Sequence, residues 1–417
     1  MTDRVPVFVH AADLHLGAPL RSLGDGLSPQ ARRELIDQVD TAFDNLINKT
    51  IELGAEFLVL AGDIYDGANR EAGAQLRFVA GMKRLVDNHI RVYIVHGNHD
   101  PLADDVINVV RLPEGVTVFR AGEVQSVRHE LRGGGHVLIA GISYEKPNED
   151  RNLAHQFAPL VRGDARAVVG VLHTNVGGTA TGHSDYAPCK PSDLENSPVD
   201  YWALGHVHKR TVNQFGNRFW AYPGNLQGRD AGESGAKGAL VVPIEGTGVG
   251  KPQFLPLDAF RFETITVECT GMSTLDDIAS GILARLASVK SDRKVILRVR
   301  LTGRSEAKSA VEKTAASKTT TLAAALEQLC AEGLNGGHIE KVVDQLLPAL
   351  DLKELAGRDD LRGDLLRLID TLDKEGLVAA LGDGAPHDLS EEETVQILDQ
   401  MRADVLRELV PNTEDAL

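Results

Sequence analysis

The chain has 417 residues, 42% hydrophobic and 25% charged, which is enough for two or three globular domains and excludes a wholly disordered protein. Its formal net charge is −16, and residues 351–417 alone hold 18 acids against 7 bases. An acidic chain is a poor general binder of nucleic acid, so any such contact must be local or assisted by cations or a partner. No run of about 18 apolar residues is present, which predicts no membrane-spanning helix. The start, MTDRVPVFVHAADLHLG, does not read as a signal peptide. Cys189, Cys269 and Cys330 lie far apart, which argues against disulfides and thiolate zinc sites and points to a reducing cytoplasm.

Strand and helix patterns alternate from the start. Residues 5–11 (VPVFVHA) read as a buried strand. Residues 28–54 read as a helix capped by Ser28 and ended by Gly54, with Leu35, Val39, Phe43, Leu46 and Ile47 at helical spacing. Residues 56–62 (EFLVLAG) are a second strand, 71–88 a helix and 90–97 (IRVYIVHG) a third strand. Residues 114–143 and 217–258 read as β-hairpins, and 165–173 and 200–206 as two further apolar strands. This rhythm predicts an α/β layered domain over residues 1–258.

Beyond it the pattern changes. A strand (260–269), a capped helix (273–289), an alternating strand (295–303), a helix (about 319–332) and a strand (about 338–345) predict a smaller α+β domain over 259–350. The Lys/Thr/Ala/Ser-rich stretch 307–321 is expected to be a loop. Residues 351–417 form an acidic helical region. Two helices are predicted over 359–410, the second opened by a Ser390/Glu393 capping box and carrying Val395, Leu398, Met401, Val405 and Leu409 as an apolar stripe.

The polar residues of interest all follow predicted strands: Asp13 and His15, Asp63 and Asp66, Asn98, His99 and Asp100, His173, and His206 and His208. Ligands in open α/β sheets bind at the carboxyl ends of strands, so these five groups are expected on one edge. Each motif alone has an ordinary explanation as a turn, a cap or a core histidine. Their conjunction does not. Carboxylate, imidazole and amide donors without thiolate suit Mn²⁺, Fe²⁺ or Zn²⁺, and seven donors are too many for one ion. Two ions about 3.5–4 Å apart would share a bridging carboxylate and polarise a phosphoryl group.

The ordered set DxH, GDxxD, GNHD, H and GHxH resembles the calcineurin-like metallophosphoesterase superfamily across residues 13–208. The resemblance implies a four-layer αββα metallophosphoesterase sandwich with a smaller α+β capping domain and a helical C-terminal tail. Three looser features are similar to the SbcD/YhaO group of DNA repair exonucleases: HTNVGGTATGHSDYAPC from His173, YPGNLQGRDAGESGAKG at 222–238, and the smaller α+β unit.

By that resemblance, Asp13, His15, Asp63 and His208 hold one ion, and Asp63, Asn98, His173 and His206 the other, most commonly Mn²⁺. His99 is the implied catalytic acid or stabiliser, with Asp66 as its orienter and Asp100 as the rival. His183 and Arg229 are candidate substrate contacts, and Lys209 and Arg210 lie close to the site motifs. His10 and His96 read as core residues, and His129 and His136 as surface residues.

The implied activity is a two-metal DNA exonuclease, with endonuclease activity as an extension. Its implied partners are DNA, an SbcC-like coiled-coil ATPase docked on the acidic tail, and a second copy of the chain. The rival expectation is a metallophosphoesterase acting on a nucleotide or other small phosphoester.

Overall fold

Strand β1 (Val7–Ala11) is an apolar run buried almost throughout, because it lies inside a sheet covered on both faces. The computed structural model describes residues 5–401 except 19, 21–22, 25, 68–71, 103–110, 178–185, 290, 350–354, 382–389, 391–392, 396 and 399–400. His183, His387, Val405 and Leu409 therefore lie outside the described residues. The chain forms two compact units. One is built from residues up to 268 with 275–302 and 311–345, and the other from 269–274, 303–310 and 346 onward.

The first unit is a sandwich. Helix α1 (Pro29–Glu52) starts where Ser28 accepts the Ala31 N–H, and it leads into β2 (Phe57–Ala61). Helix α2 (Ala72–Asp87) leads into β3 (Arg91–Val95) and then β4 (Val116–Val118). β1, β2, β3 and β4 are parallel neighbours, with α1 and α2 as the crossovers that join the first three.

The second sheet is formed by β5 (Gln125–Glu130), β6 (His136–Ile142), β7 (Ala167–His173), β8 (Tyr201–Gly205), β9 (Thr211–Phe215) and β10 (Arg218–Tyr222), in the order β5-β6-β7-β8-β10-β9. The chain then returns to the first sheet as β11 (Gly238–Glu245), β12 (Gly248–Val249) and β13 (Gln253–Pro256), with β11 antiparallel to β1.

Three apolar cores set the layers. Phe8, Val59, Ala61 and Tyr93 of the first sheet pack against Ile139, Val169, Val171 and Tyr201 of the second. Phe43, Leu46, Phe78 and Met82 of α1 and α2 cover the first sheet's other face. The second sheet's outer face is covered by Phe157 of a 3₁₀ turn, Leu194 of the short helix α3 (Pro191–Glu195) and loop residues. The expected αββα sandwich is present, with a fourth layer made largely of turns.

His10 crosses the inner core. Its Nε2–H donates to the Leu204 carbonyl at 3.1 Å, and its Nδ1 meets the Tyr201 hydroxyl at 2.9 Å. It pins β1 to β8, the strands that precede the DLH and GHVH motifs. His129 and His136 are corrections to the expectation of surface residues. Both are buried, His129 against the Tyr93 hydroxyl at 2.9 Å and the Phe57 ring. A strand in a sheet edge can bury an imidazole as readily as an apolar side chain when its nitrogen finds a partner.

The sandwich continues into a three-stranded parallel sheet of β14 (Phe260–Glu268), β15 (Lys294–Thr302) and β17 (His338–Asp344), with helices α4 (Leu275–Leu286) and α6 (Leu322–Cys330). Phe260, Phe262 and Ile296 share a core with Leu20, Leu27 and Leu35. The stretch expected as a loop after residue 307 instead folds as helix α5 (Lys308–Ala315), which buries only Val311.

In the second unit, β16 (Arg304–Ser305) pairs with β18 (Leu347–Pro348), and helices α7 (Leu361–Thr371) and α8 (Lys374–Leu381) follow. The single helix expected there breaks at Leu372, which is extended. The Ser390/Glu393 capping box forms. Leu398 and Met401 pack on Ile369 and Leu377, but Val395 is exposed. No helix among the described residues is long and apolar enough to cross a membrane.

Burial holds His10 down at about 3, against the partial pull of its Leu204 bond. The folded state thus binds one proton fewer than the unfolded chain, whose histidines titrate near 6.5. The stability from this group is present above about pH 6.5 and is lost as pH falls toward 3. In urea unfolding, His10→Gln should lose stability on acidification less steeply than wild type, by about 1.4 kcal/mol per pH unit between about pH 6 and 4. Equal slopes would contradict the assignment.

Candidate metal centre

The five polar groups converge because the five strands before them point the same way. β1, β2 and β3 run parallel in one sheet, and β7 and β8 run parallel in the other. Backbone bonds lock the loops after them: Asp13 N–H to the Gly62 carbonyl, His15 N–H to that of Asp63, and Thr174 N–H to that of Gly205. Asp13, His15, Asp63 and His206 all have positive φ, between 47° and 104°. Non-glycine residues enter this region at a cost, and such outliers gather at functional sites.

Two histidines of the inner site have Nδ1 hydrogen-bonded, and the third faces a carboxylate. His173 Nδ1–H donates to the Ala61 carbonyl at 2.9 Å. His208 Nδ1–H donates to Glu233 Oε1 at 2.6 Å. His15 Nδ1 faces Asp66 Oδ1 at 3.4 Å. All three Nε2 atoms are thereby turned inward. This is the usual arrangement of metal-binding imidazoles, in which the outer nitrogen fixes the tautomer.

What those Nε2 atoms meet tests whether cations fit. His15 Nε2 lies 3.1 Å from His208 Nε2, and His173 Nε2 lies 3.0 Å from Asn98 Oδ1. His173 donates its Nδ1–H to a carbonyl, so its Nε2 meets Asn98 Oδ1 as acceptor to acceptor, while His15 and His208 bring two lone-pair nitrogens together. A proton or a metal ion between them relieves the repulsion. Asp63 stands between the pairs. Its Oδ1 accepts the His99 N–H at 3.0 Å, while its Oδ2 lies 3.5 Å from His173 Nε2 and 4.0 Å from His15 Nε2. Asp13 accepts the His206 N–H at 3.0 Å and joins two of the three donor clusters among the described residues, with His15 and His208 on one side and Asp63 and His173 on the other, the third being His15, Asp66 and His99. The donor set fits two ions.

Electrostatics agree. Burial raises Asp13 to about 6, and burial with the nearby Asp100 charge raises Asp63 to about 7. Burial lowers His15 to about 3 and lowers His173 as well. His208 is raised instead: burial opposes its charge, but the Glu233 bond outweighs burial. Buried carboxylates are costly without a cation among them.

His206 is carried to the same edge, its ring edge-on to His173 at 5.3 Å between centroids, but it stands outside the tight donor clusters found among the described residues. His99 is placed beside them with Asp66: its Nδ1 lies 3.1 Å from Asp66 Oδ1. Asp66 lies well below the usual carboxylate range, chiefly through its bond with His15 and then through Arg229. Arg229 Nη2 lies 3.3 Å from Asp66 Oδ2. Asp100, the rival orienter, accepts from Ile64 N–H, Gly97 N–H and His96 Nδ1, and so shapes the turn beneath Asp63.

Sequence reasoning missed Glu233. Burial opposes its ionisation, but the His208 bond brings it down to about 2. Its Oε2 also accepts from Asn225 Nδ2 and the Arg229 N–H, both at 2.7 Å. The signal was one of two acids, Asp230 and Glu233, in the glycine-rich stretch after GHVH.

Comparison with known proteins agrees with this geometry. Residues 6–210 match the family model of the calcineurin-like phosphoesterases. Residues 262–346 match the middle domain of metallophosphoesterase YhaO. The chain carries a calcineurin-like metallophosphoesterase domain, of a superfamily of hydrolases that use divalent metals. Among its relatives is the uncharacterized metallophosphoesterase YhaO of Bacillus subtilis, 34% identical over 57% of each chain. The DNA double-strand break repair protein Mre11 of Methanocaldococcus jannaschii is 25% identical over 63% of this chain and 67% of its own. The SbcD component of the nuclease SbcCD of Bacillus subtilis is 24% identical over 56% of this chain and 65% of its own. The match to YhaO spans less than two thirds of that relative's length.

Glu233→Gln keeps the shape of the side chain but removes the charge behind His208. Calorimetric titration with Mn²⁺ should show affinity at one ion site lowered about 10–100-fold. Unchanged affinity at both sites would refute the positioning role.

Proposed function

We propose that the protein is a cytoplasmic two-metal DNA exonuclease, with endonuclease activity as an extension, serving DNA repair. The two face-to-face acceptor pairs joined by Asp63 carry this reading. The match to the phosphoesterase family and the nuclease and repair relatives support it. Residues 1–258 are the nuclease domain, 259–350 the capping domain and 351–417 the partner-docking region.

Two divalent ions, Mn²⁺ in this reading, would be held by Asp13, His15, Asp63 and His208, and by Asp63, Asn98, His173 and His206, and would supply Lewis acidity toward the phosphoryl group. Hydrolysis breaks the bond from phosphorus to the sugar oxygen, forms one to the oxygen of water, and leaves the sugar oxygen needing a proton. His99 is the group to supply it. Asp66 faces its Nδ1 at 3.1 Å, which would keep the ring oriented with Nε2 available. Arg229 and His15 fix Asp66 in turn. The exposed Leu361, Leu368 and Val395 of the acidic region suit docking of a partner, here an SbcC-like coiled-coil ATPase. A homodimer is a further assembly of this reading.

The acidic balance of the chain favours a second reading, a small phosphoester or nucleotide as substrate. The test is Mn²⁺-dependent shortening of end-labelled duplex DNA, beside a p-nitrophenyl phosphodiester. Shortening supports the nuclease. Ester hydrolysis with intact DNA, both alone and with the ATPase, supports the small-substrate enzyme. His99→Ala should keep its Mn²⁺ and lose turnover about 10²–10⁴-fold. Full turnover in that variant would overturn its role.

A further inference from the structure

Beside the metal centre lies a cavity of about 610 Å³, a size typical of ligand sites, lined by His208, Lys209, Arg210, Glu233 and Lys237 together with the glycine-rich loop between the last two. Three of these side chains are cationic, in a chain whose net charge is −16. Among the described residues, Glu233 is the one carboxylate in the lining, and both its oxygens are engaged by His208, Asn225 and the Arg229 N–H. Lys237 is buried, its Nζ 3.4 Å from the His208 carbonyl.

Among the described residues, Lys209 and Arg210 are not spent in ion pairs, in contrast to Arg162 and Arg261. Arg162 is tied to Asp200 at 2.8 Å and Arg261 to Asp258 at 2.7 Å. Among the described residues, neither Lys209 nor Arg210 has a carboxylate partner, and both are exposed. Arg210 is nevertheless held in place. Its guanidinium stacks over the Phe254 ring, 3.7 Å from the centroid. Stacking occupies the flat face of the group and leaves its N–H edge for an anion, with less side-chain entropy to lose on binding.

We propose that this pocket is a second phosphate subsite, which binds a backbone phosphate of a nucleic-acid strand while the neighbouring phosphodiester lies at the metal centre. The identity of the strand rests on the nuclease reading above, but the anion site rests on the cations alone. Lys209 and Arg210 are the recognition groups, and Lys237 sets the positive floor. The subsite makes the contact with nucleic acid local, as a chain this acidic requires. It also separates a polynucleotide from a small ester, which has no second phosphate to place there.

The test is fluorescence anisotropy with a labelled thymidine oligonucleotide in EDTA, titrated at several salt concentrations. It needs no turnover. Lys209→Ala/Arg210→Ala should bind about tenfold more weakly than wild type, with a salt slope shallower by about 1.4, the share of two phosphate contacts on a single strand. Lys209→Arg/Arg210→Lys should bind within about twofold of wild type, which separates charge from damage to the loop. Equal affinity and equal slope for the alanine variant would overturn the subsite, and so would an equal loss in the charge-keeping variant. A wild type that binds through these residues yet leaves DNA intact, alone and with the ATPase, would refute the nuclease reading and keep the anion site. Cleavage of DNA with no effect of the alanine variant on binding would do the reverse.

Discussion

The carbonyl of Ala61 is the point on which the site depends. It ends β2 in the first sheet, and it accepts the His173 Nδ1–H at the end of β7 in the second. The two sheets can approach there because residue 205 is glycine: a Cβ on Gly205 would collide with that carbonyl and press on the His173 ring. Gly62, with φ 93°, leaves room for the same ring. The bond does two things at once. It closes the sandwich at its carboxyl edge, and it fixes which nitrogen of His173 faces Asp63.

The same logic runs through the site. Ala61 and Glu233 each hold one outer imidazole nitrogen and Asp66 faces a third at 3.4 Å, so the inner nitrogens of His15, His173 and His208 turn toward the two aspartates. Four residues accept a left-handed backbone to do so, each costing about 1–3 kcal/mol, offset by the hydrogen bonds that hold the loops. Asp66 joins the metal centre to the proton-handling group, because one carboxylate faces both His15 and His99. Arg229 and Glu233 come from one loop, so a single segment steadies both sides of the site.

Much of this was legible in the sequence. Parallel strands buried on both faces must be continuous apolar runs, so β1, β2, β3, β7 and β8 announce themselves, and the polar residues after them mark a common edge. Spacing could not reveal Glu233, whose bond to His208 is made by the fold of a glycine-rich loop 25 residues away. Helix α5 escaped because only Val311 is buried, too little for an amphipathic pattern. His129 is buried through Tyr93, a partner 36 residues distant. Of the apolar stripe of the tail, Leu398 and Met401 pack inward and Val395 is exposed, while Val405 and Leu409 lie outside the described residues.

The central claim is that Asp63 stands between two cations. An anomalous-difference map from crystals of the protein grown with Mn²⁺ tests it directly. The account predicts two peaks about 3.5–4 Å apart, one between His15 and His208, the other between His173 and Asn98, with Asp63 touching both. A single peak at full occupancy, or two peaks that do not share Asp63, would contradict it.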